Sequence, residues 1–198
     1  MAPTVALAGN PNAGKTTLFN ELTGSRQHVG NYPGVTVEKK EGTYVRDGFR
    51  LHIVDLPGTY SLTAYSLEEV VARDFLVNQK PEVVINIVDA SNLERNLYLA
   101  IQFLEMGIPI CIALNMIDVA DRLGLAIDAE ALSAELGCEV VPVTAPTGDG
   151  VDQLEAAALF TALPRAGFRA LRFDFRHDHG GGVAERLDVI AAIDHLDG

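Results

Sequence analysis

The chain has 198 residues, 48% hydrophobic and 21% charged, which suits one globular domain with at most a small appendage. With 15 Lys and Arg against 27 Asp and Glu, its formal net charge of −12 repels phosphate backbones and argues against a non-specific nucleic-acid binder. Cys111 and Cys138 stand in no ligand or pairing spacing and read as free thiols of a reducing compartment. No basic-then-apolar leader opens the chain, and no apolar stretch approaches the ~20 residues that span a bilayer, so the chain reads as soluble.

A first apolar run, residues 4–8, leads into GNPNAGKTT and a helical segment, Lys15–Leu22. Gly9, Gly14, Lys15 and Thr16 match GxxxxGK[ST], a strand-to-helix loop whose inward N–H groups cradle anions while the helix N-terminus adds its positive end. Lys15 is expected on the β/γ-phosphates and the Thr16 hydroxyl on Mg2+. The loop residues Gly9, Asn10, Pro11, Asn12, Ala13 and Gly14, with Lys15, Thr16 and Thr17, form the expected nucleotide contact. Next comes HVGNYPGVTVE, residues 28–38, whose Gly, Asn and Pro content predicts a mobile loop. Thr36 in it can reach Mg2+ when a triphosphate is bound, with Gly34 and Val35 beside it at the nucleotide.

In TYVRDGFRLHIVDL, Asp47 and Gly48 supply a hairpin turn before a strand at 51–54, so one strand should run antiparallel at the edge. DLPG follows directly: Asp55 at the strand tip can hold the Mg2+ shell, and Gly58, after Leu56 and Pro57, can offer its N–H to a γ-phosphate. A helix is predicted over Leu67–Val77, with Glu68, Glu69, Arg73 and Asp74 on its solvated face. Near-continuous apolar runs at 83–88, 108–114 and 139–143 predict parallel strands buried on both faces. Helical segments Leu93–Met106, Asp128–Leu136 and Val151–Leu163 alternate with them.

NMID, Asn115–Asp118, closes the second of these runs. Asp118 can accept from guanine N1–H and the exocyclic amine together, two donors that adenine does not present side by side, so guanine is selected. Met116, where many GTPases place Lys, can still cover one face of the base. VTAP ends the last strand, and there Thr144, Ala145 and Pro146 complete the base site, the Ala145 N–H aimed at guanine O6. The fold expected is α/β: a P-loop GTPase with a doubly wound, mostly parallel sheet, one antiparallel edge strand and a short helical C-terminal appendage. Residues 1–164 form the nucleotide-binding domain, and 165–198 a linker with one amphipathic stretch, Val183–Leu196. His177 and His179 flank Asp178 beside a glycine triplet, which reads as a polar linker rather than a metal site.

GNPNAGKTTLFNELTG, VGNYPGVTVEKKEG, DLPGTYSL, YSLEEVVARDFL and LNMID together resemble the cytosolic GTPase domain of the ferrous iron transport protein B family, over residues 3 to roughly 160. The resemblance implies a GTP-hydrolysing, Mg2+-dependent regulatory domain on the cytoplasmic side of the bacterial inner membrane. Its partner would be the protein's own transmembrane iron-transport region, and residues 165–198 a truncated or reduced helical domain. Homo-oligomerisation is left open.

The family is also similar to potassium-activated GTPases, in which an Asn corresponding to Asn12 holds K+ with switch-loop carbonyls and an Asn corresponding to Asn31. A neutral oxygen at Asn12, near the β/γ bridge, suits that task. Thr59 stands where Ras-type enzymes have the water-orienting Gln, which implies slow turnover. Two other readings share the core: a soluble ribosome- or RNA-modification GTPase, which calls for a basic extension this acidic chain lacks, and a small-molecule P-loop kinase, against which NMID argues.

Overall fold

The computed structural model describes residues 2–24, 26–46 and 49–162. The Asp47–Gly48 turn, the histidines at 177 and 179 and the 183–196 stretch lie outside the described residues. Seven strands, β1 (Thr4–Gly9), β2 (Gln27–Asn31), β3 (Glu38–Arg46), β4 (Phe49–Asp55), β5 (Val83–Asp89), β6 (Ile110–Asn115) and β7 (Glu139–Pro142), form one sheet. The helices are α1 (Lys15–Thr23), α2 (Leu67–Gln79), α3 (Leu93–Glu105), α4 (Ile117–Arg122), α5 (Ala129–Leu136) and α6 (Val151–Ala162).

The strand order is β2-β3-β4-β1-β5-β6-β7, parallel from β4 to β7. β3 runs antiparallel to β4, as the hairpin sequence predicts, and β2 pairs antiparallel with β3 and extends the sheet by one strand. β1, β5 and β6 are buried along nearly their whole length, which is why they are apolar without alternation. One face packs Ala6, Val54, Val84 and Ile112 under Phe75 of α2 and Leu99 and Phe103 of α3. The other packs Leu7, Ile53, Ile85 and Ala113 under Leu18 and Phe19 of α1 and Leu154 of α6.

Two chain directions diverge from the sheet centre. After β1 the chain returns through α1 towards β2, β3 and β4, whereas β5 continues to β6 and β7 on the other side. Ligand crevices of open α/β sheets form at such a divergence, beyond the C-terminal strand ends. The phosphate-loop sequence, DLPG and NMID all follow the C-terminal ends of β1, β4 and β6.

Leu154 is fully buried where α6 meets the sheet. Leu154→Ala should therefore lower the unfolding free energy by about 3 kcal/mol, measurable by denaturant titration as a shifted midpoint at unchanged slope.

Candidate nucleotide-binding site

The loop between β1 and α1 is shaped by close approach. The Ala13 N–H donates to the Asn10 carbonyl at 3.2 Å, and both Asn12 (φ 68°) and Gly14 (φ 92°) take left-handed conformations. A Cβ on Gly9 would stand 2.7 Å from the Ile87 carbonyl, and one on Gly14 would collide with the Asn115 amide nitrogen, so only glycine fits either place. No side chain caps α1 and its first turn carries no acid, which leaves the helix head suited to an anion. Asn10 and Ala13 are buried, while Pro11, Asn12, Thr16 and Thr17 form the exposed rim.

Asp55 ends β4, in register with Leu7 of β1, and faces Lys15 across the loop. Lys15 Nζ lies 2.5 Å from Asp55 Oδ1, and the two side chains are only 12% and 8% exposed. Burial pushes the Asp55 carboxyl above its ordinary range, and the Lys15 ammonium offsets this only in part. A carboxylate so poorly solvated is a strong seat for added positive charge. The segment after it lies along β1: the Leu56 N–H donates to the Leu7 carbonyl at 2.9 Å and the Thr59 N–H to the Gly9 carbonyl at 3.3 Å. Among the described residues no group of three or more His, Cys, Asp or Glu could hold a metal. Mg2+ would therefore depend on hydroxyls such as Thr16 and on phosphate oxygens, beside this one carboxylate.

At the base end, Asn115 braces rather than simply lines the site. Its Nδ2 donates to the Ala13 carbonyl at 3.0 Å, and its Oδ1 accepts from the Ala145 N–H at 3.1 Å. The Ala145 N–H, expected at guanine O6, is thus engaged by Asn115. Met116 (φ 61°) turns the chain into α4, whose first turn presents Asp118, exposed and paired with Arg122 at 3.0 Å. Thr144 and Asp149 close the opposite loop through a 2.9 Å backbone bond, with Ala145 buried and Pro146 exposed.

The segment predicted as a mobile loop, 28–38, begins as strand. Asn31 pairs with Glu38 at the end of the β2–β3 ladder, and residues 32–37 form a tight loop closed by Tyr32 N–H to Val37 O at 3.0 Å. Gly34 and Thr36 are exposed on it and Val35 is half-buried. Tyr32 anchors the loop: it is buried, its hydroxyl donates to the Asp55 carbonyl at 3.1 Å, and its ring meets Phe75 edge-on. Burial, then the Asp55 and Glu41 charges, push its hydroxyl well above the usual tyrosine range, so it stays a donor. A groove of about 290 Å3 separates this loop from α2, lined by Val35, Leu67, Val71 and Phe75 among others. The loop's early strand character escapes the sequence because all five residues of β2 are exposed and carry no alternation.

Glu69 keeps to the solvated side of α2 and has a further task there: it completes a capping box with Ser66 and accepts from Ser61 Oγ at 2.8 Å and the Tyr65 N–H at 2.9 Å. These bonds, Ser61's first, hold its carboxyl below the ordinary range. The S-x-x-E spacing at 66–69 is the signal that would have found it.

The buried pair generates a test independent of any ligand. Lys15→Ala leaves the Asp55 carboxylate without its ammonium and should destabilise the protein by about 3 kcal/mol near neutral pH. Asp55 titrates above its unfolded value, so the folded protein binds the proton more tightly and the penalty should shrink as pH falls through that raised value. Thermal melts without added nucleotide should show this recovery, and Lys15→Ala combined with Asp55→Asn should restore most of the loss at pH 7.

A family model for ferrous iron transport protein B matches residues 3–158. The chain is 53% identical over 158 residues to the Fe(2+) transporter FeoB of Escherichia coli strain K12, covering 78% of this chain and 20% of that protein. It thus spans about a fifth of the curated relatives it matches. It also resembles the FeoB G-domain from Methanococcus jannaschii, with 46% identity, TM-score 0.73 and coverage of 81% of this chain and 97% of that one. An S. thermophilus NFeoB mutant bound to GDP gives 47% identity and TM-score 0.78, over 98% and 70% of the two chains. On sequence and fold together, this chain belongs to the ferrous iron transport protein B family and carries its P-loop GTPase fold.

Proposed function

We propose that this chain binds GTP, hydrolyses it to GDP and phosphate, and serves as the nucleotide-operated domain of a ferrous iron transporter. Its place would be the cytoplasmic side of a bacterial inner membrane, acting on the transporter's own transmembrane region, with residues 1–164 as the G domain and 165–198 as linker and helical segment. No helix among the described residues is long and apolar enough to cross a membrane. One observation carries the reading: Asn115 joins Ala13, in the loop after β1, to Ala145, in the loop after β7, which supports a single site in which the first loop would hold phosphates and the 115–118 segment would read a guanine. The GDP-bound relative supports it.

In this reading the backbone of residues 10–15 binds the phosphates and Lys15 turns from Asp55 to the β/γ oxygens, a charge-for-charge exchange in a poorly solvated site. Thr16 and Thr36, with Asp55, would hold Mg2+, which neutralises phosphate charge when bound. Asn12 and Asn31 would hold K+, which supplies positive charge near the β/γ bridge. Gly58 offers its N–H to the γ-phosphate, and Thr59, seated on the Gly9 carbonyl, brings no carboxamide to orient water.

Base choice is testable through Asp118. Asp118→Asn should weaken GTP binding by roughly ten- to a hundredfold and shift preference to xanthosine triphosphate, because an amide cannot accept both guanine donors. Equal affinity of the unmodified protein for ATP and GTP in a competition assay would contradict the assignment. For the cation, GTP turnover should rise about tenfold in KCl over NaCl at matched ionic strength, equivalent to ~1.4 kcal/mol of barrier. Asn12→Ala should abolish that difference while leaving GDP affinity nearly intact, and coincident wild-type rates in the two salts would remove K+ from the scheme.

A further inference from the structure

The segment that follows DLPG is fastened to α3 as well as to the phosphate loop. The guanidinium carbon of Arg95 lies 4.2 Å from the centre of the Tyr60 ring, the stacked arrangement in which a cation meets the negative ring face. Seven residues on, Gln102 Oε1 accepts from the Leu62 N–H at 2.8 Å. Positions seven apart share one face of a helix, so a single face of α3 receives residues 60–62.

The same turn of α3 is tied to the phosphate loop from the other side. Asn10 Nδ2 donates to the Arg95 carbonyl at 3.4 Å, and the Asn10 side chain is buried with its Oδ1 unpartnered. Meanwhile the Thr59 N–H sits on the Gly9 carbonyl. Gly58 lies against Pro11, close enough that a Cβ there would come within 3.5 Å. Arg95 thus stands between two parts whose mutual placement decides whether the Gly58 N–H can meet a γ-phosphate: its main chain is held by the phosphate loop, and its side chain holds the residue two beyond Gly58.

We infer that Arg95 is a positioning residue for GTP hydrolysis, its guanidinium clamping Tyr60 so that the Gly58–Thr59 backbone stays seated against the phosphate loop. This rests on the GTPase reading of the site. Both side chains are partly exposed, Tyr60 at 41%, so their removal spares the core. The clamp acts on the geometry of the triphosphate end and leaves the diphosphate contacts of residues 10–15 alone. Arg95 touches Tyr60 and not the reacting atoms, which separates its role from that of a charge supplied to the transition state.

The experiment has a kinetic and an optical arm. Arg95→Ala and Tyr60→Ala should each lower single-turnover GTP hydrolysis about five- to tenfold, a loss in the range a partly shielded stack supplies. GDP affinity and melting temperature should stay near wild type, and the double variant should be no slower than either single one. A wild-type rate in Arg95→Ala, or losses that multiply in the double variant, overturns the inference. The chain contains no tryptophan, so Tyr60→Trp creates a single emitter at the clamp. Adding Arg95→Ala to it should make that emission easier to quench with acrylamide, and unchanged quenching overturns the clamp whether or not GTP is hydrolysed. If the unmodified protein hydrolyses no GTP, the GTPase reading fails, and the optical arm alone then decides the Arg95–Tyr60 contact.

Discussion

The amide of Asn115 ties together two loops that the chain separates by more than half its length. Both its polar atoms are used, one on Ala13 and one on Ala145, and the side chain is almost wholly buried. A buried amide left half-satisfied would cost more than its hydrogen bonds contribute, so the two loops are fixed together or not at all. Gly14 is part of the same constraint, since any side chain there would displace the Asn115 nitrogen. The parallel order β1-β5-β6-β7 carries these loops to the C-terminal ends of the strands, and the brace converts that proximity into a defined distance between the loop after β1 and the loop after β7.

Charge at the site is arranged against the charge of the whole. In a chain of net −12, positive potential at this site is local: uncapped N–H groups at the head of α1, and Lys15. Lys15 is held in place by Asp55, whose burial raises its carboxyl against the pull of the ammonium. Removing water from both partners costs free energy that their attraction returns only while they stay paired. Any rearrangement that separates them must supply each with a new partner of opposite charge.

Strand and helix positions were legible wherever burial was complete. The runs in β5 and β6 place their strands to within two residues, because a doubly covered strand shows its apolar identity at every position, and the run at 139–143 places β7 equally well although only Val140 of that strand is buried. Asn86 is the exception inside such a run: it is buried with neither amide atom partnered. β2 and the six-residue α4 escaped, the first fully exposed and the second too short for helical period to register. Within the candidate site, motif spacing singled out the loop residues, Asp55 and the 115–118 segment, and their position at neighbouring strand ends was legible because each follows directly on a buried strand. The Asn115 brace, the Tyr32 anchor and the Arg95–Tyr60 stack were not legible, since each joins residues whose meeting depends on how separate loops cross above the sheet.

Asp55 is where these devices converge. Its carboxylate faces Lys15, its carbonyl accepts from Tyr32, and the residue after it is fastened to Leu7 of β1. Tyr32 in turn packs on Phe75 of α2, and Ser66 and Glu69 fix the head of that helix. The loop over residues 33–37 therefore hangs between a strand that cannot slip without breaking its ladder and an anchor bonded to the residue that pairs with Lys15. Any displacement of Thr36 must be absorbed within those five residues or transmitted through Tyr32 to α2. Because Pro33 stiffens one end while Gly34 (φ 77°) adopts a conformation few other residues hold, the first route is narrow. Tyr32 is thus the contact that joins the loop carrying Thr36 to α2, beside the groove between them.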